Sequence, residues 1–277
     1  MRRPAGRASY TYAVARGFDP AQIAGLRGVD DTKVYLVPYA DIVAAVSSVP
    51  LAEFDEAALR VKLERLEWLE AVARAHHAVV DAVAACSVTL PFRLATVYHG
   101  DERVTEVLRQ AYRRFRGALD RLAGRVELGV KVSTDPEAMI SAAPARTSGG
   151  VPSPASPSPG KDYLRRRREQ HRLRDDAWRQ AAAVAERVET TLAELAVDTR
   201  HHRPQDPRLS GARGENVLNA AYLVDAERAE ELATAAKGLD RQAPGARVEV
   251  TGPWAPYSFA LPDEALPQGG DGRVGPA

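Results

Sequence analysis

The sequence predicts an α+β protein: a mixed α+β N-terminal domain followed by a C-terminal domain of ferredoxin-like type. Three observations carry this expectation. Short segments rich in aromatic and β-branched residues alternate with longer ones whose apolar residues return every three or four positions. In the second half the segments follow the order strand, helix, strand, strand, helix, strand, which is the ferredoxin-like βαββαβ order. The length of 277 residues is enough for two cores, at roughly 150 residues per domain. The expected boundaries are 1–123 for the N-terminal domain, 124–260 for the C-terminal domain and 261–277 for a disordered tail poor in apolar residues.

The N-terminal half opens with residues 9–16 (Ser-Tyr-Thr-Tyr-Ala-Val-Ala-Arg), a strand by composition, and 33–38 and 41–47 read as two more. The period then changes. From Asp55 to Ala85, Leu59, Leu63, Leu66, Leu69, Ala73, His76, Val80 and Val83 form one stripe, and the spacing predicts a single long amphipathic helix. Ser87–Val97 is strand-like but contains Pro91, which lacks the N–H that a central ladder needs. Asp101 is the expected N-cap of a further helix, with Val104, Leu108, Ala111, Phe115, Ala118 and Leu122 inward and Gly124 as its stop.

In the second half, Arg125–Thr134 alternates as a strand. Residues 141–160 are dominated by Pro, Ser, Gly and Ala and are expected to be a disordered insertion. A helix is predicted from Lys161 to Val197, a short strand at 199–203 and a strong strand at 215–224. A second helix follows at 226–239, with Leu232, Ala235 and Leu239 inward, and a last strand at 247–251.

Composition bounds the function. Lys plus Arg (38) nearly cancels Asp plus Glu (37), which excludes a globally basic nucleic-acid binder while leaving local patches open. Lysine occurs at only five positions, so arginine supplies the other 33 basic residues, a habit of GC-rich coding that weakens any single arginine as evidence of recognition. The single cysteine, Cys86, excludes an intrachain disulfide and a multi-cysteine zinc site and fits a reducing compartment. The N-terminus carries charge but no signal-like apolar run, and no segment approaches the ~20 apolar residues of a membrane span. A soluble, cytoplasmic protein is expected.

Motifs of catalysis are missing. The His76-His77 and His201-His202 pairs match no His-Glu-x-x-His spacing, and adjacent side chains diverge, so no metal site is expected. His76 lies on the apolar stripe and is expected to be a packed imidazole with one hydrogen bond. Pro159-Gly160-Lys161 fails as a phosphate loop, because Ala155 and Asp162 stand where glycine and Ser/Thr are needed. There is no Gly-x-Ser-x-Gly elbow. The chain is expected not to be an enzyme.

The sharpest local feature is Lys161–Arg174, KDYLRRRREQHRLR. The helical stripe Leu164, Arg168, His171, Arg174 or Asp175, Trp178, Ala181, Ala185, Val188, Leu192, Leu195 is apolar only in its C-terminal half. The segment is either a helix projecting into solvent or a basic surface for an acidic partner or a nucleic-acid backbone. With the ferredoxin-like sheet, the latter makes an RNA-binding module the alternative function.

Specific strings go further. Leu90-Pro91-Phe92-Arg93-Leu94-Ala95-Thr96-Val97-Tyr98, preceded by His76 on a helix, resembles the LPxRFGTVF segment of the gas vesicle protein F/L family, GvpF/GvpL. Val126–Val132 is similar to that family's ELxVKV strand, and Gly160-Lys161-Asp162-Tyr163-Leu164 to its GxxYLxxR helix start. Asn219–Val224 and Thr251–Phe259 are similar to NxAYLV and to the closing TGPWPPYSF. Leu94 and Ala95 depart from the usual Phe-Gly. The resemblance implies a non-enzymatic accessory protein that contacts the hydrophobic shell subunit and other accessory proteins during nucleation and assembly, with no cofactor; no membrane or nucleic-acid partner is expected. A subunit bearing an apolar gas-facing surface aggregates in water unless a carrier masks it. The residues singled out for partner binding are Leu90, Pro91, Arg93, Thr96, Tyr222, Trp254, Tyr257 and Phe259, with Arg165 and Arg168 of the arginine-rich segment.

Overall fold

The computed structural model describes residues 6–135, 159–203, 214–240 and 245–260. Contacts divide the chain into two compact units, one of residues 1–126 with 254–277 and one of residues 127–253. Residues 254–260 therefore group with the first unit, where the sequence placed them at the end of the second domain. Residues 141–158 of the expected insertion and the expected tail lie outside the described residues.

The first unit is built on strands β1 (Arg7–Arg16), β2 (Val34–Tyr39), β3 (Ile42–Pro50), β4 (Thr89–Pro91) and β5 (Val97–Tyr98). Its sheet has the order β2-β3-β1-β4, with β5 also pairing β1, and the register of β1 with β3 and β4 is antiparallel. Pro91 sits on β4 at the sheet edge, the place where its missing N–H costs no ladder bond. Strand β1 is buried from Ala8 to Ala15, as a central strand covered on both faces must be. Neighbouring side chains show the two covers. Ser9 bonds Asp101 on one side, and Tyr10 reaches His76 on the other. Tyr12 is the extra residue of a β-bulge between Thr11 and Ala13, so it lies in the same core cluster as Tyr10.

After the short helix α1 (Leu51–Phe54), the predicted long helix is two pieces, α2 (Glu56–Leu63) and α3 (Leu66–Cys86). Asp55 caps α2 by accepting the Ala58 N–H at 2.8 Å, and Arg65 is extended (φ −92°, ψ 107°), breaking the run. The stripe changes phase at that break. Leu66, expected inward, is 68% exposed, whereas Val72, His76, Val79, Val80 and Val83 are buried. The next predicted helix is also divided, into α4 (Gly100–Gln110) and α5 (Tyr112–Leu122), by a kink at Ala111 that keeps the inward stripe intact. Asp101 is inside the first turn and is not the N-cap. Its carboxylate is taken by the Ser9 and Tyr35 hydroxyls. Gly124 ends α5 in the left-handed region (φ 70°), as expected of a helix stop.

The second unit holds β6 (Arg125–Thr134), α6 (Pro159–Ala193), β7 (Asp198–His201), β8 (Asn216–Asp225), α7 (Ala229–Asp240) and β9 (Ala246–Trp254). Its strands lie in the order β7-β8-β6-β9, with β7 and β8 antiparallel. The order βαββαβ is the one the sequence predicts. Leu128, Val130 and Val132 of β6 and Ala181, Val184, Val188 and Leu192 of α6 are buried, and α6 packs on β8 and α7. Two inward assignments change. Trp178, expected in the stripe of α6, is 48% exposed because Ala177 takes the buried position, and Ala236 is buried in α7 where Ala235 was expected.

Gly28 marks the tightest approach in the first unit. A Cβ there would stand 2.0 Å from the Tyr12 hydroxyl, which donates to Ser47 Oγ and accepts the Val29 N–H. Gly28→Ala is expected to destabilise the protein by about 1–3 kcal/mol through overpacking, read as a lower midpoint in urea.

Candidate partner-binding site

The Leu90–Tyr98 segment is held by a closed buried relay. His76 of α3 is 3% exposed, and its Nε2 lies 3.1 Å from the Phe92 carbonyl, which can only accept, so Nε2 carries the proton. Nδ1 therefore accepts from the Tyr10 hydroxyl at 3.2 Å, and that hydroxyl oxygen accepts the Ala95 N–H at 3.0 Å. The expected single hydrogen bond of His76 is two. Burial pushes the imidazole down to about pKa 4, against a smaller opposing effect of the Phe92 carbonyl, so the ring is neutral. Burial likewise raises the Tyr10 phenol well above its usual range. The relay is thus a positioning device for backbone, with no proton to give at neutral pH.

Further bonds shape the loop. The Phe92 N–H donates to the Tyr12 carbonyl at 2.8 Å and the Thr11 N–H to the Thr96 carbonyl at 2.8 Å. The Thr96 hydroxyl donates to the Arg93 carbonyl at 2.8 Å. Ala95, which stands where the resembling motif has glycine, is held at φ 62°. The loop keeps a left-handed turn here although the residue has a Cβ.

The closing segment forms an aromatic cluster on the next residue of α3. The His77 ring stacks on Trp254 (centroids 6.1 Å apart, planes 20° apart) and meets Tyr257 edge-on at 4.9 Å. His77 Nδ1 is 3.0 Å from the Tyr257 hydroxyl. Phe259 is buried, and its carbonyl accepts from Arg121 Nη2 at 2.9 Å. Trp254 is 44% exposed. These contacts, all among residues before Val126 or after Pro253, are the reason the closing segment groups with the first unit.

The sequence-selected residues therefore divide by position. Leu90, Pro91, Thr96, Tyr222 and Phe259 are buried, Tyr257 is half-buried, and Arg93, Trp254 and Arg168 are exposed. The Arg165 side chain lies outside the described residues. Leu90, Pro91 and Thr96 surround the relay loop, and Trp254, Tyr257 and Phe259 cluster on α3. Tyr222 is separate, in β8 of the second unit. Its buried hydroxyl has no hydrogen-bond partner among the described residues, and burial, then the Glu189 charge, pushes the phenol up to about 12.

Sequence reasoning missed a cavity of about 330 Å³ in the first unit, lined by Arg7, Ser9, Tyr35, Ser48, His99 and Asp101. Tyr35 donates to both Asp101 carboxylate oxygens (2.8 and 3.0 Å) and Ser9 to one at 2.5 Å. Burial, then Asp101, raises the Tyr35 phenol to about 12. The cavity's polar groups come from β1, β2, β3 and α4, and no local motif signals that meeting. No cluster of metal-ligating side chains occurs among the described residues.

A family model described as "Gas vesicle synthesis protein GvpL/GvpF" matches residues 8–261. The chain belongs to this family. It is 46% identical to gas vesicle protein L of Streptomyces sp. (strain CB03234), covering 92% of this chain and 93% of that protein. Gas vesicle protein F of the same strain is 26% identical, covering 91% of this chain and 98% of that one. The crystal structure of GvpF from Anabaena sp. PCC7120 superposes with a TM-score of 0.64 at 20% identity, covering 93% of this chain and 97% of that chain. GvpF from Microcystis aeruginosa gives 0.62 at 18%, covering 92% and 99%. The two crystal structures bear on the fold, and the α+β class agrees with them.

Two outcomes are expected. The unfolded chain protonates His76 near its ordinary pKa of 6.5, while the folded chain resists until about 4, so acid favours unfolding across that window. Stability is expected to fall by about 3 kcal/mol from pH 6.5 to pH 4 on this account, and His76→Gln should flatten the pH dependence of urea midpoints relative to the parent. At position 95 a β-branched residue tolerates the left-handed turn worst. Ala95→Val should cost about 2 kcal/mol, and Ala95→Gly should stay within about 1 kcal/mol of the parent in thermal melts.

Proposed function

We propose that this protein is a gas vesicle accessory or minor structural protein that binds the hydrophobic shell subunit and assists nucleation and assembly, making and breaking no covalent bond. It works in the cytoplasm, associated with gas vesicles and with other gas vesicle accessory proteins. Family membership supports the cellular role, and one observation supports the mode of action: the half-exposed Trp254 indole, clamped against His77. Tyr257 and Phe259 anchor the segment inward, so the indole is presented in a fixed orientation. A large aromatic already held in place gives up little rotamer freedom on contact, which is how anchor residues of interfaces gain affinity.

The RNA-binding alternative finds no such support. Tyr222 is the aromatic residue of β6 and β8, and it is fully buried, leaving no stacking ring on those central strands.

Co-expression with the shell subunit and affinity purification tests the proposal. The parent chain is expected to carry the shell subunit with it. Trp254→Ala should reduce recovery at least about tenfold, the range of an interface anchor, while stability falls by no more than about 1 kcal/mol because the ring is half in water. A folded parent that retains no shell subunit overturns the function. Equal recovery by the variant overturns the site.

A further inference from the structure

The arginine-rich half of α6 is left unused by the shell-binding reading. Residues 161–174 hold seven basic and two acidic side chains, in a chain whose net charge is +1. Tyr163 is 62% exposed, Leu164 53% and Trp178 48%, and Arg167, Arg168 and Arg172 are exposed beside them. Among the described residues, these three guanidinium groups form no ion pair, whereas Arg179 further along is paired with Asp176.

At 3.6 residues per turn the six side chains share one half of the helix circumference. Tyr163 and Arg167 lie toward one border, Leu164 and Trp178 in the middle, and Arg168 and Arg172 toward the other. The buried positions Ala177, Val184 and Val188 lie outside that half, as do Glu169 and Asp176, whereas the buried Ala181, Ala185 and Leu192 continue its Tyr163–Arg167 border further along the helix. Up to Trp178, Asp175 is the acidic position within that half. Before Ala181 the helix therefore presents this half to solvent, with cations flanking apolar groups; from Ala181 onward part of the same half is buried.

We propose that this half-face docks an acidic amphipathic helix of a partner protein, one with carboxylates flanking an apolar row. The assignment rests on charge complementarity. Guanidinium forks without ion-pair partners among the described residues match carboxylates two bonds at a time. The exposed Tyr163, Leu164 and Trp178 require apolar surface between those bonds, and a phosphate backbone offers none to Leu164. A lipid surface requires a continuous apolar stripe, but Arg168, His171 and Asp175 interrupt the line from Leu164 to Trp178.

The test uses the full-length protein and a synthetic, Trp-free helical peptide with glutamates flanking a leucine row, followed by tryptophan emission. The peptide is expected to shift the emission, and Trp178→Phe to abolish the shift. R167E/R168E/R172E should weaken binding at least about tenfold without moving the thermal midpoint, since the three side chains are exposed. Raising salt from about 0.05 to about 0.5 M should weaken the parent's binding by a similar factor, as screened ion pairs do. Trp254→Ala should leave this binding unchanged, which separates it from shell binding. Equal affinity of the parent and the triple variant overturns the proposal, as does equal affinity for a scrambled peptide of the same composition. Tighter binding of poly-U RNA, or of phosphatidylserine vesicles, overturns it in favour of those surfaces.

Discussion

The first unit depends on keeping a histidine neutral inside an apolar core. A buried imidazole with an unpaired nitrogen costs several kcal/mol, and His76 avoids that cost because both nitrogens are engaged, by Tyr10 and by the Phe92 carbonyl. The Tyr10 hydroxyl is itself closed by the Ala95 N–H. Strand β1, helix α3 and the loop after β4 are thereby tied at one point. Fully satisfied networks of this kind favour one arrangement, since any shift of loop or helix orphans at least one buried group.

The same turn of α3 sets up the surface. His76 and His77 are adjacent and so point about 100° apart around the helix. One faces the core and fixes the loop. The other faces outward and carries Trp254 and Tyr257. The closing aromatics are accordingly positioned by the helix whose angle the buried relay determines. Local order at Trp254 is thus a consequence of packing some distance beneath it.

Charge is distributed in a comparable way. The near-zero total conceals a basic run along α6, while elsewhere many arginines are paired locally, as Arg109 is with Glu106 and Arg228 with Glu231. Exposed pairs of that kind add little to stability. Among the described residues Arg167, Arg168 and Arg172 form no such pair, which leaves a field that a partner can use, so the arginine bias of the chain is uninformative residue by residue and informative where pairing fails.

The strands and the βαββαβ order were legible because a period of two and a period of 3.6 are written directly in Val126–Val132 and in Ala181–Leu192. The edge position of Pro91 and the helix stop at Gly124 were legible because each residue's own backbone chemistry decides them. The family was legible from contiguous strings. Hidden were the break at Arg65, because a three-residue apolar step continues across it, and the inward choice of Ala177 over Trp178, which is made by the face that α6 packs. Hidden too were the roles of Asp101, Tyr10 and His77, whose partners lie 66 to 180 residues away. Local pattern is a property of consecutive residues, so the sequence alone determined the elements and their order. Which polar groups meet is a property of packing, so only the tertiary structure decided the relay, the aromatic cluster and the unit to which the closing segment belongs.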